Sequence, residues 1–306
     1  MRRRLKGHTV IVRRTSLLAV SIAAVLLSAC AQAGSSPSQE PSEEPPSESA
    51  AAPAIPAPTS LITAGQLVDC VDIEYPPLEY FETSDVTDPN AAIGFDVDAA
   101  KAVAELLGLE ITIRNTGFDA LIPDLTAGRC DIVWSGLFIS DERLAVADAT
   151  PYMATGHVVM VVKGNPEGIQ TLDDLCGKTV AIQTGGLVET VSAEASTACT
   201  DAGNPAIEIQ GYAKVADEFQ QIVLGRTVAI WETDEAVADW MNRNPDKYEV
   251  AFVASQDKTY GIYRQKDHDD IHDAIAAALR ALKDDGTLAR IAEKYGLDPS
   301  KLDKIE

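Results

Sequence analysis

Positive charge is what this chain lacks most. Lys and Arg number 25 against 47 Asp and Glu, a formal net charge of −22 at pH 7. No basic face is left to follow a phosphate backbone, which argues against nucleic acid, and so acidic a surface is repelled by an anionic bilayer. Histidine is scarce too, with four in all. His268 and His272 stand four apart with Asp269 and Asp270 between them, and a charged helix start accounts for them better than a metal site does. Zinc spacing, a phosphate loop and the Ser, His, Asp order of a nucleophilic triad are all missing, so no metal, no cofactor and no catalysis is expected. The apolar run at residues 17–27 falls short of the roughly 18 residues that a membrane span needs. None of the five cysteines is in a CxxC pair.

What is present begins with an export signal. Arg2, Arg3, Arg4, Lys6, Arg13 and Arg14 precede that short apolar run, and Leu27-Ser28-Ala29-Cys30 follows it. Charge, apolar run and cysteine in this order resemble the signal and lipobox of bacterial lipoproteins, which implies lipidation of Cys30 and a membrane-anchored protein at the cell surface or in the periplasm. The alternative is an ordinary secretory peptide cleaved near Ala29 or Ala33. Arg13-Arg14 also loosely resembles a twin-arginine signal, so the export route stays open. Residues 1–30 are therefore read as signal. Residues 31–60, almost wholly Ser, Pro, Glu and Ala from Gly34 onward, cannot build a core and read as a disordered acidic tether.

The remainder is long enough for one large domain or two modest ones. Strand-like and helix-like segments alternate through it, the pattern of an α/β fold. Residues 67–71 read as a strand, 94–108 as a helix, 109–114 as a strand, 118–125 as a short helix and 130–134 as a buried strand. After Tyr152 the register restarts, with strands over 157–162, 179–183, 207–209 and 228–231, and helices over 214–224, 269–284 and 287–295. Two α/β lobes follow: residues 61–155 with 256–306, and residues 156–255. Beyond Cys30 four cysteines remain, an even number in an exported chain, which favours disulfides. Cys70 and Cys130 fall in one segment and Cys176 and Cys199 in another, so they are paired locally.

The nine residues SGLFISDER, 135–143, stand at the mouth of the strand over 130–134. Serine and glycine leave backbone N–H groups free for an anion, and arginine offers a planar fork that fits a carboxylate. A plain solvated helix start, with Arg143 paired to Asp141 or Glu142, is the competing reading.

Six segments decide between them: DIEYPPLEY, GFDVDAAKAVAELLG, FDALIPDLTAGRCDI, SGLFISDER, LDDLCGKTVAIQTGG and LKDDGTLARIAEKYG. In this order they resemble the family 3 solute-binding proteins that serve polar amino acid ABC importers. The resemblance implies a two-lobed, type II periplasmic-binding-protein-like α/β fold, each lobe a mainly parallel sheet flanked by helices, with the ligand in the cleft between and closure by a hinge. It implies a small-molecule ligand, a permease in the membrane as partner, and a monomer. Arg143 is then expected to hold the ligand carboxylate, helped by the Ser135 hydroxyl, Gly136 and the N–H groups of Leu137 and Phe138. Tyr75 and Phe118 are expected to sandwich the carbon skeleton, while Asp72 takes a cationic or donor end and Gly185 lies at a strand end beside the ligand.

This chain departs from the pattern at several positions. Phe138 replaces a Ser or Thr, Gly186 and Leu187 replace a pair of threonines, and Thr233 stands where the family has an aspartate for the ligand ammonium. Either Glu232 or Asp234 has moved in, or the ligand carries no free α-ammonium; strand alternation points both acids away from the face of Thr233. Together with Trp134 and Trp231, these changes predict a more apolar cleft, although Trp134 sits mid-strand and reads better as core. Two other roles remain: a sensor that presents ligand to a membrane receptor, and an exported dehydratase-like enzyme on the same fold.

Overall fold

The computed structural model describes residues 55–306; the signal, Cys30 and the tether up to residue 54 lie outside the described residues. The elements in chain order are β1 (Gln66–Val71), α1 (Phe95–Leu106), β2 (Glu110–Asn115), α2 (Leu121–Thr126), β3 (Ile132–Val133), α3 (Asp141–Leu144) and β4 (Ala147–Val162). They continue with β5 (Thr179–Gln183), α4 (Leu187–Asp201), β6 (Glu208–Tyr212), α5 (Val215–Val223), β7 (Ala229–Thr233), α6 (Asp234–Arg243), β8 (Tyr248–Gln265), α7 (Asp269–Asp284) and α8 (Thr287–Lys294).

Hydrogen bonding links the strands in the order β2-β1-β3-β8-β4-β7-β5-β6. β1 runs parallel to β2 and β3, and β5 runs parallel to β6 and β7. Between these two parallel groups lies the antiparallel pair of β4 and β8, whose register slips between Pro151 and Met153 and again between Thr155 and Val158. These two long strands join the lobes. A slipped register loosens the ladder locally, which suits a hinge.

Here the sequence reading needs correction. A register restart after Tyr152 was expected, but one 16-residue strand runs from Ala147 to Val162. Its partner β8, 18 residues long, was not anticipated. Its middle, Ala254-Ser255-Gln256-Asp257-Lys258, is polar and lacks strict alternation, because it crosses from one lobe to the other and has no single buried face. The expected strand over 130–134 shrinks to two residues, Ile132 and Val133.

Helix α1 lays Val97, Ala100, Val103 and Ala104 on the first lobe, all essentially buried. Trp134 is fully buried, edge-on to Tyr152 at 5.3 Å between centroids. Trp231 is buried in the second lobe and donates from Nε1 to His157 Nδ1 at 2.8 Å. Both indoles belong to cores, so neither makes the cleft apolar as the sequence reading allowed.

Both expected disulfides are present, Cys70–Cys130 across 60 residues and Cys176–Cys199 across 23. The tether ends earlier than expected. Ile55 packs on the core, and the Thr59 and Ser60 N–H groups donate to Asp270 at the start of α7, at 2.6 and 2.9 Å.

Candidate functional site

The ends of β1, β5 and β7 and the loop after β3 converge where the two lobes face each other. Thr233 ends β7 and caps α6, its Oγ1 accepting from Ala236 N. Gly186 caps α4, so the start of that 15-residue helix, with its free N–H groups and positive dipole end, opens here. Gly185, at φ +80°, turns the chain from β5 into this helix, a conformation that a side-chain-bearing residue resists. A small cavity lies at the meeting point, lined by Tyr75, Phe118, Gly136, Phe138, Gln183, Gly186, Leu187, Val188, Glu232 and Thr233. Its free volume is about 10 Å³, room for about one water molecule.

The lobes touch across it. The Tyr75 hydroxyl donates to Glu232 Oε1 at 2.8 Å and lies 2.5 Å from Thr233 Oγ1. Lys214 pairs with Glu74. Arg143 donates to the Phe138 carbonyl at 2.9 Å and to the Gly185 carbonyl at 3.3 Å. The Arg143 guanidinium also rests 5.7 Å above the Phe118 ring. It pairs with neither Asp141 nor Glu142, and no carboxylate among the described residues lies within ion-pair distance of it. Burial pulls its pKa down, against the pull of Tyr263. A half-buried guanidinium without an ion-pair partner among the described residues attracts an anion.

The remaining sequence-predicted residues fall into two groups. Phe118, Phe138, Gly186, Leu187, Thr233 and Tyr75 line the cavity, with the Phe138 ring 5.2 Å from that of Tyr260. Ser135 and Leu137 do not. The Ser135 hydroxyl accepts from Asp72 N at 3.0 Å and donates to Glu79 at 2.7 Å, which leaves it buried and spent. Gly136 lies in the cavity wall, but its N–H donates to Asp96 at 2.8 Å. The expected direct help from the Ser135 hydroxyl is therefore corrected: it fixes the loop from behind. The Leu137 and Phe138 N–H groups donate to no protein acceptor among the described residues.

Asp72 lines an adjoining cavity of about 250 Å³ with Glu74, Asn115, Phe118, Asp119 and Lys214. Burial, reinforced by the charge on Glu74 and offset by Lys214, pushes its carboxyl up to about 7. The folded state therefore keeps a proton that the unfolded chain releases near pH 4, so stability falls as pH rises from about 4 to about 7. Asp96, also raised to about 7 by burial, adds to the same slope. Asp72→Asn is expected to shrink the loss of unfolding free energy between pH 4.5 and 7.5 by on the order of 2–4 kcal/mol. Urea titrations at the two pH values measure this, and an unchanged slope would mean that Asp72 ionises freely in the fold.

One site residue goes unnoticed in the sequence, and another stands there only as an alternative. Gln183 is 4% exposed, and its Nε2 has no hydrogen-bond partner among the described residues. As the last residue of β5, two residues before Gly185-Gly186, it had a positional signal: strand ends beside such turns face ligands. Glu232 was set aside on strand alternation, yet its Oε1 accepts from the Thr233 N–H at 2.7 Å. The strand ends at this point, and the side chain curls back toward the cleft.

Residues 67–298 match the profile described as bacterial extracellular solute-binding proteins, family 3. The chain is 29% identical over 239 residues to the L-cystine-binding protein TcyJ of Escherichia coli, covering 78% of this chain and 85% of that protein. Its fold is similar to an ancestral arginine-binding protein bound to arginine, with a TM-score of 0.68 at 29% identity, over 76% of this chain and 98% of that one. It is also similar to the ancestral amino acid-binding protein AncCDT-1, a precursor of cyclohexadienyl dehydratase, with a TM-score of 0.64 at 28% identity, over 76% and 95% of the two chains.

Proposed function

The chain belongs to the bacterial extracellular solute-binding proteins, family 3, and from that we propose that it captures an amino acid or amino-acid-like molecule for the permease of an ABC importer. The observation that carries this reading is Arg143, stacked on Phe118 between the lobes with no carboxylate partner among the described residues. Arg143 takes the ligand carboxylate, with the Leu137 and Phe138 N–H groups and the start of α4 at Gly185 and Gly186 as further donors. Tyr75 and Phe118 clasp the carbon skeleton, Phe138 and Leu187 add apolar wall, and Asp72 receives a cationic or donor end.

The cavity of about 10 Å³ is too small for any amino acid. Ligand entry therefore parts Tyr75 from Glu232 and Lys214 from Glu74, with bending at the slipped registers of β4 and β8. The lobes divide near residues 155 and 256, residues 61–155 and 256–306 forming one and 156–255 the other. Cys30 carries the lipid, and the acidic tether lets a monomer reach its permease from the membrane surface. Similarity to a dehydratase precursor that is itself an amino acid-binding protein supports binding, not catalysis, in this chain.

The test is a thermal-shift and calorimetric screen of the standard L-amino acids and L-cystine. A ligand present at about 100 times its Kd stabilises by about 2.7 kcal/mol, which for a domain of this size raises the midpoint by roughly 5–10 °C. If no amino acid moves the midpoint at millimolar concentration, the reading fails.

A further inference from the structure

Thr233 leaves an α-ammonium without the carboxylate that the family resemblance places there, and the structure supplies one a single residue earlier. Glu232 lines the cavity, and its Oε1 is held by the Thr233 N–H at 2.7 Å and by the Tyr75 hydroxyl at 2.8 Å. Thr233 Oγ1 lies 2.5 Å from the same hydroxyl. An ammonium group has three donors, and the Glu232 carboxylate and Thr233 Oγ1 offer it acceptors side by side at this point.

Behind Glu232 stands a second acid. Glu218 of α5 is fully buried, and neither of its carboxyl oxygens accepts a hydrogen bond among the described residues. Burial and the neighbouring Glu232 both hold its pKa well above the usual range. It faces Glu232 with its own hydrogen-bonding capacity unspent. Burial also raises the Glu232 carboxyl, against the hydrogen bonds it accepts from the Thr233 N–H and the Tyr75 hydroxyl, and an incoming ammonium, the cation this pair lacks, favours its ionised form.

Three other acids near the cleft are already committed, and a fourth faces another cavity. Asp234 is paired with Lys301 at 2.7 Å and accepts from the Gly156 N–H at 3.2 Å. Asp96 and Glu79 sit behind the loop after β3, engaged by Gly136 and Ser135. Asp72 opens onto the adjoining cavity.

We propose that Glu232 is the carboxylate that receives the α-ammonium of the ligand in this protein, displacing the Tyr75 hydroxyl, with Glu218 as the buried acid that positions it. This rests on the reading of the cleft as an amino acid site. It also resolves the alternatives left by Thr233: the acid has moved by one residue, and the ligand keeps its ammonium.

The experiment pairs the tightest-binding amino acid from the screen with the 2-hydroxy acid of the same side chain, which retains the carboxylate and lacks the ammonium. Calorimetry on the wild-type protein should favour the amino acid by about 30-fold or more. Glu232→Gln keeps the acceptor for Tyr75 and Thr233 and removes the charge. It should weaken the amino acid by about tenfold or more and the hydroxy acid by less than about threefold. In the Glu232→Gln background, Thr233→Asp restores a carboxylate one residue away and should recover most of the lost affinity, a rescue that a merely structural role for Glu232 does not predict. The proposal is overturned if Glu232→Gln costs the amino acid less than threefold, if both probes lose equally, or if the hydroxy acid binds the wild type as well as the amino acid does. Failure of every amino acid to bind wild-type protein would instead strike the reading of the cleft itself, and the proposal with it.

Discussion

Arg143→Ala is expected to weaken ligand binding by about 100-fold or more while the unfolding midpoint moves by only a few degrees. The guanidinium makes two hydrogen bonds, both to carbonyls, and one of these, to Gly185, reaches across the cleft. A charge-assisted pair with a carboxylate is worth roughly 1.5–3 kcal/mol, and its loss leaves the ligand carboxylate desolvated on closure, which brings the total to about 3 kcal/mol or more. At about 1.4 kcal/mol per decade that is about two decades in affinity. Stability should change little, because the side chain is half-buried, forms no ion pair among the described residues and sits at the cleft rim. Calorimetry with the ligand found in the screen, together with an unfolding scan, measures both quantities. Affinity retained within about threefold would place the ligand carboxylate elsewhere or remove it from the ligand altogether.

Removing the Cys70–Cys130 disulfide should produce the largest loss of stability. The bond closes a 60-residue stretch and lies in a buried cluster with Leu121, Leu125, Val133, Leu137 and Tyr263. By chain entropy it contributes about 4 kcal/mol, against about 3 kcal/mol for the shorter Cys176–Cys199 loop. The Cys70→Ala, Cys130→Ala double variant is therefore expected to lower the midpoint by roughly 8–16 °C, and the corresponding Cys176, Cys199 variant by somewhat less. The consequence for function is specific. Cys130 stands two residues before β3 and the loop that carries Ser135 to Phe138, so the first bond also holds the loop proposed to receive the anion in register with β1. Differential scanning calorimetry of the two double variants tests the ranking. An equal or reversed order would show that the loop-closure argument does not govern this fold.

The sequence by itself determined the chemistry that local rules can see. Alternating strands and helices, the glycine turn at Gly185-Gly186 and the arginine after SGLFISDE each follow from a few adjacent residues, the cysteine pairs follow from an even number shared between two segments, and the structure keeps them. Helix α7 falls on the expected residues 269–284, because an amphipathic face 16 residues long repeats often enough to be unambiguous. Only the tertiary structure decided what depends on residues far apart in the chain. β4 and β8 became one long crossing pair because each must serve two lobes, and a strand that changes its buried face halfway carries no steady period-two pattern. Ser135 was turned from ligand donor to loop brace because Glu79, 56 residues away, claims its hydroxyl. Glu232 was brought to the cleft, against the alternation of its own strand, because the strand stops at Thr233, while the Thr233 N–H and the Tyr75 hydroxyl from the other lobe hold its carboxylate there. A carboxylate's direction at a strand end is set by its hydrogen-bond partners rather than by the pleat, and those partners stand up to 157 residues away in the chain.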